Sequence, residues 1–169
     1  MINQEIKCVG VVVKPNHNEA WRTACELSTW LEKRGIHLIG KPYGEGEKVE
    51  AEKFQSKADL IVVLGGDGTM ISTARLIGNR EVLVLGINYG SLGYLTEFRI
   101  EEMFPALEKI LAGEFETDRR VMLDVELSRD GETLEKGRVL NDVVINKAAL
   151  ARIIEIEVEL NNLYVNSFS

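Results

Sequence analysis

The apolar positions of this chain change their period near its middle, and the change divides it. From Leu60 to Leu64 five apolar residues run without interruption. Such a run predicts a strand buried on both faces, as in a parallel sheet. Gly65-Gly66-Asp67-Gly68-Thr69 follows at once, and Met70, Ala74 and Ile77 then recur at helical spacing up to Gly78. The chain is therefore predicted to turn straight from strand into helix. Ile6 to Val13 and Val82 to Ile87 read as buried strands of the same kind, and Ile36 to Ile39 as a short one. Asn16 with Glu19 three residues on has the form of a capping box. Trp21, Ala24, Cys25, Ser28 and Leu31 then line one face of a helix that Gly35 ends. Lys41 to Gly46 reads as a loop and Val49 to Gln55 as a short helix. Glu101 to Leu111 reads as a helix with Phe104, Leu107, Ile110 and Leu111 inward, its Pro105 tolerable only near the first turn.

At Arg119 the pattern becomes an alternation. Val121, Leu123, Val125 and Leu127 interleave with Met122, Asp124, Glu126 and Ser128. Asp130-Gly131 is a hairpin signal, with Gly137 to Ile145 as the return strand. Ile154, Ile156, Val158 and Leu160 alternate with Glu155, Glu157 and Glu159, then Asn161-Asn162 turns the chain into a strand beginning at Leu163. The predicted fold class is α/β: a Rossmann-like open parallel sheet over residues 1–116, followed by the start of an antiparallel β-rich domain over residues 117–169. A β region of four or five strands is small for its own core, so the chain is expected to be incomplete.

Composition narrows the function. Hydrophobic residues make up 45% of the 169, enough for a real core. The net charge of −7 argues against a nucleic-acid or membrane-surface partner but not against small anionic ligands. Cys8 and Cys25 have no metal or redox spacing and are expected to be buried small hydrophobes in a reducing compartment. Met1-Ile2-Asn3-Gln4-Glu5 has no basic region before a long apolar core, so it is not expected to be a signal peptide, and no apolar run reaches membrane-spanning length; the expected location is cytoplasmic. His17 and His37 lack partners at useful spacing and are expected at the surface or in loops. Glu155, Glu157 and Glu159 are expected to form a solvated face.

The chemistry gathers at two turns. After the strand at Leu60–Leu64, glycines let a substrate approach the backbone, and the helix N-terminus favours negative charge. Asp67 is the odd member, because a carboxylate repels phosphate. It is expected to face a metal, a ribose hydroxyl or a reacting proton. The segment lacks the lysine and spacing of a P-loop and is not a GxGxxG fingerprint. A second glycine-bearing turn, Asn88-Tyr89-Gly90-Ser91-Leu92-Gly93-Tyr94-Leu95-Thr96-Glu97-Phe98, follows the next strand. Two such turns on one edge of a parallel sheet form a cleft.

Gly65-Gly66-Asp67-Gly68-Thr69 resembles the signature shared by NAD kinases, diacylglycerol kinases and sphingosine kinases, with a related form in phosphofructokinases. Gly86-Ile87-Asn88-Tyr89-Gly90-Ser91-Leu92-Gly93-Tyr94-Leu95 is similar to the NAD kinase pattern in particular. Leu140-Asn141-Asp142-Val143-Val144-Ile145 resembles that family's Asn-Glu/Asp motif, with the shorter acid, and Arg120-Val121-Met122-Leu123 its entry into the second domain. The resemblance implies phosphoryl transfer to the 2′-hydroxyl on the adenosine ribose of NAD, giving NADP. The donor is ATP with a divalent cation (Mg²⁺), or polyphosphate. It implies Asp67 as general base or orienting group. It implies Gly65, Gly66, Gly68, Thr69, Asn88, Tyr94, Asn141, Asp142 and Arg152 as nucleotide-binding residues, with no metal ligand assigned. Core packing is the competing reading for Tyr94, a strand-end turn for Asn141 and Asp142, and plain solvation for Arg152. Family members are usually homodimers or homotetramers. The family carries a further Asp-Gly pair and a Thr-Gly-Ser-Thr-Ala-Tyr segment shortly after the strand with which this sequence ends, and neither is present in it. The chain is thus expected to bind NAD weakly and to show little activity alone. A lipid kinase and a non-catalytic nucleotide-binding module are the alternatives.

Overall fold

The computed structural model describes residues 5–39, 57–90, 93–140, 142–145 and 154–168. A five-stranded sheet is built from β1 (Cys8–Val13), β2 (His37–Ile39), β3 (Leu60–Leu64), β4 (Leu83–Asn88) and β5 (Phe98–Arg99). Its spatial order is β2-β1-β3-β4-β5, and every pairing is parallel. Helices α1 (Asn18–Glu32), α2 (Asp67–Ile77) and α3 (Met103–Leu111) cover it. This is the expected Rossmann-like open sheet.

The unbroken apolar run of β3 lies at its centre for a simple reason. Leu60, Val62 and Leu64 pack into the same cluster as Leu27 and Leu31 of α1 and Met103 and Leu107 of α3. Ile61 and Val63 point the other way, among Met70 and Ile77 of α2. A strand covered on both faces has no polar side to alternate with. Leu27, Leu31, Leu64 and Leu107 are completely buried, each worth roughly 1.5–3 kcal/mol in apolar surface removed from water.

Helix α1 buries Ala24 and Leu31 as expected, but its inward face is rotated from the expected one. Ala20, Thr23, Ala24, Leu27 and Leu31 are buried, while Trp21 and Cys25 are exposed and Ser28 lies at the margin. The large side chain of Trp21 set the expected phase, but the sheet accepts a small-residue stripe at close range and leaves the indole outside. Cys25 is therefore not a core residue, and Cys8 is only partly buried. The cap also moves by one residue. Asn16 takes the left-handed conformation at φ 55°, which asparagine tolerates. The cap is His17, whose Nδ1 accepts the Ala20 amide at 3.2 Å. Its ring also lies 4.9 Å from that of Tyr89. So His17 has a structural task that its sequence position did not announce. His17→Ala is expected to cost about 1 kcal/mol in a urea unfolding titration, as loss of an N-cap does.

The last part holds two antiparallel hairpins: β6 (Met122–Arg129) with β7 (Glu132–Leu140), and β8 (Ile156–Leu160) with β9 (Leu163–Phe168). Both turns carry two positive φ angles, at Asp130 and Gly131 and at Asn161 and Asn162, the geometry that suits the twist of a hairpin. The return strand begins at Glu132 rather than Gly137 and ends at Leu140, and residues 142–145 are not strand. The two-residue turn sets Arg129 opposite Glu132, so pairing starts at once. Glu132–Lys136 is too polar to read as strand, but cross-strand contacts accommodate it: Lys136 with Glu126 at 2.8 Å, and the Thr133 hydroxyl donating to the same carboxylate. Strand β5 was also not foreseen; two residues give no period. The expected loop at Lys41 to Gly46 and helix at Val49 to Gln55 lie outside the described residues.

Candidate active site

From β1 the chain steps outward to β2 and returns to β3 on the other side of β1. Loops leaving the carboxyl ends of β1 and β3 therefore diverge, which opens a crevice at this switch point. Two backbone bonds fix its floor. The Lys14 amide donates to the Leu64 carbonyl at 2.8 Å, and the Gly65 amide to the Ile87 carbonyl at 2.9 Å. The turn after β3 and the turn after β4 thus start side by side.

Asp67 joins them. It is the first residue of α2, where the exposed amides of the helix terminus favour a carboxylate. Its side chain reaches across to the second turn. Oδ2 accepts the Tyr94 amide at 2.8 Å. Oδ1 accepts the Leu95 amide, the Thr96 amide and the Thr96 hydroxyl, each at 3.1 Å. Burial pushes this carboxyl up, but the bonds from Tyr94, Leu95 and Thr96 outweigh it and hold the group below the ordinary carboxylate value. Asp67 is therefore firmly ionised at neutral pH. Among the described residues it forms no ion pair, so its charge is balanced by dipoles.

The glycines serve this strut unequally. A Cβ on Gly93 would stand 2.2 Å from Asp67 Oδ1, so the carboxylate needs a glycine opposite it. A Cβ on Gly65 would stand 2.3 Å from Thr69 Oγ1, because Thr69 folds back over the turn. Gly66 is the helix cap in extended conformation, with Asn88 Oδ1 3.9 Å from its imagined Cβ. Gly68 faces open space, so packing alone does not require it.

Asn88 is the last residue of β4 rather than the first of the turn, and it is buried. Its Oδ1 accepts the Gly90 amide at 3.0 Å and its Nδ2 donates to Thr96 Oγ1 at 2.9 Å. Tyr94 is 73% exposed, which sets aside core packing. The Arg120 guanidinium lies 5.3 Å from its ring centroid and pairs with Asp118 at 2.8 Å. Asp142 is exposed in the segment after β7, with its amide donating to Leu140 at 3.0 Å. Asn141, Arg152, Ser91 and Leu92 lie outside the described residues. The structure therefore brings together Gly65, Gly66, Asp67, Thr69, Asn88 and Tyr94. It adds Gly93 and Thr96, which the sequence did not single out; a threonine after a Tyr-Leu pair reads as the entry to a strand.

Such a site suits a hydroxyl. A carboxylate offers about four acceptor positions, and Oδ2 takes one described bond where Oδ1 takes three. The less occupied oxygen is thus available to a donor approaching the carboxyl ends of β3 and β4.

The matches to known proteins agree with this geometry. The family model for the ATP-NAD kinase N-terminal domain matches residues 9–115. The NAD kinase of Geotalea daltonii is 45% identical over 168 residues and that of Geobacter sulfurreducens 44% over 169. Each alignment takes in 96% of this chain and 59% of the relative, so the chain spans a little over half their length. Among solved structures, a yeast NADH kinase complexed with NADH superimposes with a TM-score of 0.80, covering 98% of this chain and 55% of that one. At 18% identity this likeness speaks for the fold alone. With the parallel sheet, the paired turns and the match over residues 9–115 in agreement, the chain belongs to the ATP-NAD kinase family.

Proposed function

We propose that the protein transfers a phosphoryl group from ATP, or from polyphosphate, to the 2′-hydroxyl on the adenosine ribose of NAD, giving NADP. The observation that carries this reading is the Asp67 carboxylate, held ionised by the second turn and only partly buried. A ribose hydroxyl is too weak an acid to ionise at neutral pH. A charged acceptor orients it and takes its proton as the new O–P bond forms. The hydrogen bonds that lower Asp67 make it a weak base, so orientation is the larger part of its role. Positioning and charge neutralisation supply most of the acceleration in phosphoryl transfer. Gly66 and Gly68 leave room for the ribose, and Gly65 and Thr69 shape the turn. Asn88 supports the second turn, and Tyr94 offers an exposed ring to the nucleotide. Asn141, Asp142 and Arg152 would complete the contacts.

Among the described residues no three His, Cys, Asp or Glu side chains form a metal cluster. The cation is assigned to the ATP phosphates, where Mg²⁺ is commonly held, and no residue is named for it. We also place the protein in the cytoplasm as a homo-oligomer. No helix among the described residues is long and apolar enough to cross a membrane.

The test is NADP formation from NAD, ATP and Mg²⁺, with diacylglycerol as the competing acceptor. At the length of its relatives the protein is expected to form NADP and to leave diacylglycerol unmodified. The 169-residue chain alone is expected to turn over at least about 100-fold more slowly, since positioning groups carry effects of that size. Phosphorylated diacylglycerol without NADP would reverse the assignment. Gly68→Ala sharpens the test. Its methyl meets only open space and Gly68 lies within α2, so stability should hold or rise by up to about 1 kcal/mol, while KM for NAD should rise if the ribose lies against that backbone.

A further inference from the structure

We infer that Thr96 is a positioning residue: its buried hydroxyl commits Oδ1 of Asp67 to the fold and leaves Oδ2 for the substrate hydroxyl. This deepens the reading above and rests on it. Hydrogen-bond direction carries the argument. The Gly90 amide is a donor only, so the Asn88 atom that meets it at 3.0 Å is the carbonyl oxygen. The other end of the Asn88 amide is then NH₂, and it points at Thr96 Oγ1 at 2.9 Å. An NH₂ group donates and does not accept, so the single Thr96 proton is not directed at Asn88. It goes to Asp67 Oδ1 at 3.1 Å, which carries no proton of its own. One backbone amide in the second turn therefore sets the polarity of a three-residue relay that ends on the carboxylate.

Burial makes the relay strict. Thr96 is completely buried and Asn88 nearly so, and water does not readily replace a missing partner at such depth. The Thr96 methyl side is also held: a Cβ on Gly86 would come 3.0 Å from Thr96 Cγ2. The methyl thus lies on the Gly86 side, and the oxygen meets Asn88 Nδ2 and Asp67 Oδ1. The charged groups on neighbouring elements are Glu97, next in the chain, and the Asp118–Arg120 pair beside Tyr94. None of them bonds Asp67, so its ionisation is set by burial, which raises it, against the hydroxyl and three amides, which hold it down.

The experiment compares Thr96→Ser with Thr96→Ala, which differ by one oxygen, with Thr96→Val as the variant that keeps the shape. Two readouts are taken. The Asp67 carboxyl carbon is titrated by NMR in the 169-residue chain, and kcat and KM for NAD are measured in the protein at its relatives' length. In Thr96→Ser the titration should stay with the native chain. In Thr96→Ala and Thr96→Val it should move up towards the ordinary carboxylate range, and kcat should fall about tenfold or more with a smaller change in KM, because the carboxylate loses its orientation although it stays ionised at neutral pH. A purely structural threonine would lower stability in Thr96→Ala and Thr96→Val alike without moving the carboxyl titration, and that result would overturn the inference. Should Thr96→Val fail to fold, the Ser and Ala pair decides alone. An Asp67→Asn protein that still makes NADP at the native rate would sink the proposed role of Asp67 in catalysis. A titration that does not respond to Thr96 sinks only the relay.

Discussion

Asp67→Asn is expected to lower kcat for NADP formation by about 10²- to 10⁴-fold, through lost orientation of the hydroxyl together with the lost proton acceptor. The same change should also loosen the fold, and the reason lies in the bonds around the carboxylate. All four groups that meet Asp67 donate: the amides of Tyr94, Leu95 and Thr96 and the Thr96 hydroxyl. An asparagine has one oxygen and one NH₂ group. If its oxygen faces the three donors on the Oδ1 side, its NH₂ meets the Tyr94 amide, donor against donor. If it is reversed, the Leu95 and Thr96 amides both lose their acceptor and the Thr96 hydroxyl can only accept. The first arrangement is cheaper, and because the Tyr94 amide lies at an exposed position, losing its bond costs about 1 kcal/mol. Asp67→Asn should therefore show a lower urea midpoint as well as a lower kcat. NAD affinity should fall less than turnover if the carboxylate acts chiefly on the hydroxyl in the transition state. An undiminished rate would remove Asp67 from the chemistry.

Much of the frame was legible in the sequence because both of its signals are local. An unbroken apolar run has no polar face, so β3 had to be covered on both sides, and Leu60–Leu64 is buried throughout. A glycine turn opening directly into a helical period fixes α2 at the carboxyl end of that strand, and the helix begins at Asp67. The Asp130-Gly131 and Asn161-Asn162 turns were readable because the φ > 0 requirement selects those residues. What escaped was set by contacts between segments. The inward face of α1 depends on how closely the sheet accepts Ala20 and Ala24, which no helical period reveals. The return strand begins in a polar stretch, because cross-strand charge pairs rather than burial hold it. The site shows the same division. Asp67 stood out because an acid among glycines is conspicuous. Thr96 and Gly93 did not, because their importance comes only from Asp67 reaching them 29 and 26 positions earlier in the chain.

Gly93→Ala is expected to be the most damaging single methyl in the described part of the molecule. Gly93 has no unusual backbone angle, so the cost is steric rather than conformational. The added carbon would lie 2.2 Å from Oδ1, 2.6 Å from Cγ and 2.7 Å from Oδ2 of Asp67. All of these are closer than unbonded atoms come. The carboxylate cannot swing aside freely, since its position is set by four hydrogen bonds to the turn that would carry the methyl. Relief therefore means parting the two turns. Overpacking costs about 1–3 kcal/mol, and each charge-assisted bond lost adds roughly 1.5–3 kcal/mol. A stability loss of about 2–5 kcal/mol is expected in urea unfolding, with NADP formation falling at least as far as in Asp67→Asn. A double-mutant cycle isolates the cause. In an Asp67→Ala background the methyl meets no carboxylate, so Gly93→Ala should cost less than about 1 kcal/mol there, a coupling well above the usual scatter for independent sites. Equal costs in the two backgrounds would mean that Gly93 is needed for something other than the approach of Asp67, and that the strut between the two turns is not what holds the cleft in shape.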